Sequence, residues 1–95
     1  MTTSEIKNVL VERGYDDSHA ELVAKELGFI DSQLEKPLNQ WLENNEETEV
    51  VIEGVSLMEL MQNNELEYPA ALLSIDWIYK EPNVALSVLK QVIQY

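Results

Sequence analysis

The feature that most constrains this chain is how often it signals the start of a helix. Ser or Thr followed three residues later by Glu can satisfy two orphan amides reciprocally as a capping box. Four such pairs fall within 95 residues: Thr2 with Glu5, Ser18 with Glu21, Ser32 with Glu35, and Ser56 with Glu59. Pro69 and Pro82 mark two further starts, because proline at the first helical position gives up an amide that has no intrahelical partner anyway. Six helices are therefore expected, at about 4–13, 18–27, 33–43, 56–64, 69–80 and 82–93. The third begins at Gln33 or, since Pro37 would remove an internal hydrogen bond, only at Pro37. Gly14 and Gly28 are natural stops for the first two, and the Asn44-Asn45 pair for the third.

Apolar spacing supports these segments. Ile6, Val9, Leu10 and Arg13 recur at three- and four-residue intervals, as do Ala20, Val23, Ala24 and Leu27. Leu38, Trp41 and Leu42, then Leu57, Leu60 and Met61, then Ala85, Leu86, Leu89, Val92 and Ile93 continue the pattern. The fifth segment is apolar nearly all round, from Ala70 to Tyr79, which places it at the centre of a core. Between Asn44 and Gly54 the chain is polar and acidic around Val50-Val51-Ile52, a β-branched run that favours extended structure. With no second strand-like segment evident, this run reads as an extended connector near 49–53 that packs onto helices. The expected fold is all-α: one compact bundle of about five or six short helices over residues 1–95. A division into three-helix halves, 1–44 and 55–95, is the alternative. A shift of about 51 residues superposes Ile6 on Leu57 and Leu10 on Met61, but any two amphipathic stretches slide into similar agreement.

Charge narrows the partners. Eighteen acids against six bases give a net charge of −12, which disfavours bare nucleic acid and anionic membrane surfaces, since both need clustered Lys and Arg. No apolar run approaches the length of a membrane span. The first residues lack the basic and apolar regions of a signal peptide, so a cytoplasmic location is expected. Cysteine is absent, which removes disulfides and thiolate metal sites. No Lys or Arg occurs between Pro37 and Tyr79, while Glu43, Glu46, Glu47, Glu49, Glu53, Glu59, Glu65, Glu67 and Asp76 all lie there. Two readings stay open for that stretch: a solvated face that aids solubility, or a docking surface for a basic protein.

The groups that enzymes rely on are missing. The sequence has no Gly-rich phosphate loop, no activated-serine elbow and a single histidine, His19. Asp16, Asp17 and His19 together invite a metal reading, but Asp and Ser before a helix are ordinary caps and the ligand set is thin. Neither catalytic residues, a cofactor nor a metal is expected. Asp76, set between Ile75 and Trp77, reads as an i to i+4 partner of Lys80 on an exposed strip. Trp41 and Trp77 read as core anchors.

A helix, the loop Arg13-Gly14-Tyr15, a second helix with Ala20 and Leu27, and a third ending in Trp41-Leu42 resemble the ubiquitin-associated type of three-helix module. The resemblance covers about residues 4–43. It departs from the usual pattern at Arg13, where that family has Met, and at Pro37 in the third helix. It implies a small apolar patch of Gly14, Tyr15 and Leu42 that receives ubiquitin or another protein. The functional expectation is a non-enzymatic protein-interaction module with a protein partner of basic character, self-association being open. The alternative is an acidic inhibitor that mimics nucleic acid in a basic groove.

Overall fold

Thr2 opens the first helix, α1 (Thr3–Glu12), as its spacing predicts: its hydroxyl accepts the Glu5 amide and the Glu5 carboxylate accepts the Thr2 amide, both at 3.2 Å. That amide of Thr2 also holds the Glu5 carboxyl below its ordinary range. At the other end Gly14 adopts φ +101°, the left-handed turn that lets Gly14 N–H reach the Val11 carbonyl and Tyr15 N–H the Leu10 carbonyl. The chain leaves this turn extended through Asp16, whose carboxylate accepts the His19 amide at 2.8 Å and caps α2 (Asp17–Leu27). Ser18 therefore lies inside α2, and the Ser18–Glu21 pair is not a capping box. The third pair also works differently. Asp31 caps a short 3₁₀ turn, Ser32–Leu34, and α3 (Glu35–Asn44) follows without a side-chain cap. Pro37 is the third residue of α3, where an amide has no intrahelical acceptor, so it neither delays nor interrupts the helix.

The structure is a computed structural model that describes residues 2–85 and 87. The chain divides into two compact units, Met1–Glu47 and Thr48–Tyr95. In the first, Ile6 and Leu10 of α1, Ala20, Ala24 and Leu27 of α2, Ile30, Leu34, and Leu38, Trp41 and Leu42 of α3 are buried. The two alanines of α2 let it pack closely on α1, whose contacts with α2 are extensive.

The second unit begins with a β-hairpin that corrects the expectation of an unpaired connector. Strand β1 (Val51–Ile52) pairs antiparallel with β2 (Val55–Ser56), in the register Val51 with Ser56 and Ile52 with Val55. Glu53 and Gly54 form the two-residue turn at φ +53° and +74°, the positive pair that a type I′ turn requires. Ser56 ends the hairpin and at once caps α4 (Leu57–Asn64), accepting the Glu59 amide. α4 stops at Glu65, left-handed at φ +52°, with Leu66 N–H on the Met61 carbonyl. α5 (Tyr68–Lys80) starts with proline in its first turn, and the Tyr68 hydroxyl donates to the Thr48 carbonyl at 2.9 Å.

α5 buries Tyr68, Pro69, Ala71, Leu72, Ile75, Asp76 and Ile78, but not its whole circumference. Tyr79 is exposed and Trp77 only half-buried, so Trp77 is no core anchor whereas Trp41 is. Asp76 pairs with Lys80 at 2.8 Å as its spacing predicts, yet it is itself buried while Lys80 reaches out to solvent. The pair therefore spans from core to surface rather than lying on an exposed strip. Helical backbone resumes at residues 82–85, with Ala85 buried. The remainder of the expected sixth helix, from Leu86 on, lies outside the described residues apart from Ser87.

Candidate protein-interaction surface

All eight glutamates expected to form an acidic surface are exposed. Glu43 lies in the last turn of α3 and Glu46 and Glu47 follow it, all in the first unit. The second unit carries Glu49, Glu53 at the hairpin tip, Glu59 in the first turn of α4, Glu65 at its end, and Glu67 just before α5. Among the described residues the ion pairs are Lys7 with Asp17, Lys25 with Glu21, and Lys80 with Asp76. None of the eight glutamates has a cationic partner there.

Glu49 differs from the other seven. Its carboxylate accepts the Ser56 hydroxyl, the Val50 amide at 2.9 Å and the Met58 amide at 3.1 Å. The Ser56 hydroxyl, with help from backbone amides, holds the Glu49 carboxyl below its ordinary range. One carboxylate thus joins the hairpin to the first turn of α4, at the positive end of the helix dipole. No spacing rule points to that job, because the partners lie seven and nine residues on.

The loop of the first unit is arranged around a cation. Arg13 donates from Nη2 to the Leu42 carbonyl at 3.0 Å, and its guanidinium lies 4.2 Å from the centroid of the Trp41 ring. Its buried Nη1 has no hydrogen-bond partner among the described residues, and the aromatic face offers the compensating attraction. Of the three residues suggested by the resemblance, Gly14 is exposed and Tyr15 half-buried, its ring tilted against His19 with centroids 5.3 Å apart. Leu42 is core, with 4% of its surface exposed. The three do not form one exposed apolar patch.

Asp16, Asp17 and His19 are dispersed among other tasks: Asp16 caps α2, Asp17 meets Lys7 at 3.3 Å, and His19 faces Tyr15. Among the described residues no group of three or more Asp, Glu or His is placed to hold a metal ion. Phe29 and Leu22 are the most exposed large apolar side chains among the described residues, at 80% and 64%. Both fall off the Ala20, Val23, Ala24, Leu27 stripe. Among the described residues no helix is long and apolar enough to cross a membrane. No known protein family, no curated protein and no solved structure matches this chain.

Proposed function

We propose that this protein acts by binding rather than catalysis, and that its partner is a protein presenting a basic face. The observation that carries the reading is a set of exposed glutamates, Glu43, Glu46, Glu47, Glu53, Glu59, Glu65 and Glu67, with no cation beside them among the described residues. Within each unit, Glu43, Glu46 and Glu47 in the first and Glu53, Glu59, Glu65 and Glu67 in the second, unpaired surface carboxylates raise the local negative potential, which attracts a basic partner within about one Debye length, roughly 8–10 Å in physiological salt. Each exposed pair formed on docking adds only about 0.2–1 kcal/mol, so specificity and capture rate gain more than affinity does. The proposal places the protein in the cytoplasm, since a chain without cysteine needs no oxidising compartment to fold.

The test is capture of partners from the host by the tagged full chain at two ionic strengths, roughly 0.05 M and 0.3 M. A basic protein should be retained at the lower salt and lost at the higher, with weaker retention by Glu43→Gln/Glu46→Gln/Glu47→Gln. Retention that ignores salt and is abolished by Tyr15→Ala would move the function to the Gly14-Tyr15 loop. No retention at either salt refutes the binding reading.

A further inference from the structure

Exposure alternates along the stretch that runs through β1 into the hairpin turn. Thr48, Val50 and Ile52 are half-buried, while Glu49, Val51 and Glu53 are exposed, the period of two that extended backbone imposes. One face therefore reads carboxylate, valine, carboxylate, with Val51 60% exposed between its two acids.

The backbone of the same residues is unpaired along one edge. The two-residue turn makes Ile52 and Val55 a hydrogen-bonded pair, and Leu57 N–H donates to the Val50 carbonyl at 2.9 Å. Bonded and non-bonded pairs alternate along an antiparallel ladder, so Val51, opposite Ser56, turns its N–H and C=O away from β2. Neither group, nor the backbone of Glu49 two residues earlier, has a hydrogen bond among the described residues. An edge with free donors and acceptors is a template for a further strand.

Charge decides what pairs there. In an antiparallel pairing of two copies of β1 centred on Val51, Glu49 of one chain would stand across from Glu53 of the other. Side chains facing each other in a ladder lie about 4.5–5.5 Å apart and like charges there are destabilising, so the acids along this edge keep a second copy off it. A segment with Lys or Arg on both sides of an apolar residue, at alternate positions, meets the opposite situation. Both carboxylates gain a cation, and the apolar residue covers Val51. We propose that β1 takes up an extended basic segment of the partner protein as a third strand of the hairpin, an assignment that rests on the reading of a basic partner given above. The added backbone bonds supply affinity and the alternate side chains supply selectivity.

The experiment is a titration of the ¹⁵N-labelled full chain, at about 0.05 M salt, with the capped peptide Lys-Thr-Val-Thr-Lys and with the same peptide N-methylated at its valine amide. The first should move the Val51 amide signal saturably and slow its exchange with solvent. The second, equal in charge but short of a strand bond, should bind about tenfold more weakly. Glu53→Gln should weaken the first peptide about two- to fivefold, the range of one exposed ion pair. Val51→Pro removes the outward amide without breaking a bond to β2, and should weaken it as N-methylation does while unfolding stays cooperative. Equal binding of the two peptides, with the Val51 amide unprotected, overturns strand addition and leaves the basic-partner reading intact. Protection of Val51 that grows with protein concentration in the absence of peptide gives the edge to a second copy and overturns the assignment. No binding of the lysine peptide overturns it too, and the capture experiment above then decides the basic-partner reading on its own.

Discussion

Replacing Glu49 by Gln removes one negative charge from a chain of net charge −12, and long-range repulsion alone predicts a stabler protein. The local structure predicts the reverse. The Glu49 carboxylate receives the Ser56 hydroxyl and the Val50 and Met58 amides, and it lies against the first turn of α4. A negative charge at a helix N-terminus contributes about 0.3–1 kcal/mol, and losing a capping acceptor costs about 1 kcal/mol. Gln keeps a carbonyl oxygen, so the capping loss is partial. Glu49 is exposed, so water screens its charge, and the roughly 1.5–3 kcal/mol of a bond to a desolvated charge does not apply. The expected loss for Glu49→Gln at neutral pH is about 0.5–1.5 kcal/mol.

Glu47→Gln is the control. Glu47 is exposed and has no hydrogen bond or ion pair among the described residues, so its replacement should change stability by less than about 0.5 kcal/mol, in the stabilising direction if repulsion matters. Urea unfolding followed by circular dichroism measures both variants. The pH dependence supplies an independent check. Hydrogen bonding from Ser56, ahead of the backbone amides, holds the native Glu49 carboxyl below the ordinary range of a glutamate. A carboxyl with a depressed native pKa contributes stability that is complete above its unfolded value and is lost as pH falls through the native one. The gap between wild type and Glu49→Gln should therefore hold steady down to about pH 5 and close below 4.5. If both variants shift stability by the same sign and size, or the gap persists unchanged to about pH 3, the capping argument is wrong.

Three further changes follow from the same geometry. Glu65→Gly should stabilise the protein by about 0.5–1 kcal/mol, because Glu65 occupies the left-handed stop of α4 that glycine adopts without a Cβ penalty; thermal unfolding should show it as a rise of several degrees. Glu53→Asn should act in the same direction at the first turn position of the hairpin, where a type I′ turn favours Asn, and protection of the hairpin amides from hydrogen exchange should increase. Arg13→Ala should destabilise by about 1–2 kcal/mol in urea, since it removes both the bond to the Leu42 carbonyl and the cation over Trp41.

Much of the helical architecture is legible in the sequence because capping and apolar spacing are local. Thr2 with Glu5 shows it best: the residues that define the signal are the residues that make the bonds. At Ser18 the same pattern misleads, since Asp16 stands two residues earlier and can cap as well. The Gly14 turn decides between them by delivering the chain to Asp16 in an extended conformation. The hairpin escapes detection because strands of two residues show no alternation, and because Glu53 stands where Asn or Asp would announce the turn. Asp76 escapes for another reason. A local rule finds its partner Lys80, but burial is set by what packs against α5.

The acidic surface divides along the same line between local and tertiary information. That Glu43 to Glu67 would be exposed follows from composition, since carboxylates are rarely buried without a partner. Which of them the fold uses does not follow, and Glu49 shows why: its bonds depend on a hairpin that brings residue 49 back to the start of α4. Glu53 and Glu65 are the informative contrast. Both hold left-handed backbone at a cost of about 1 kcal/mol relative to glycine, and neither side chain has an internal bond or ion pair among the described residues. The fold gains nothing from a carboxylate at either place. Under the proposed docking role the two positions separate stability from binding: Glu65→Gly and Glu53→Asn should raise stability while weakening capture of a basic partner, whereas a merely solubilising face predicts the first change without the second.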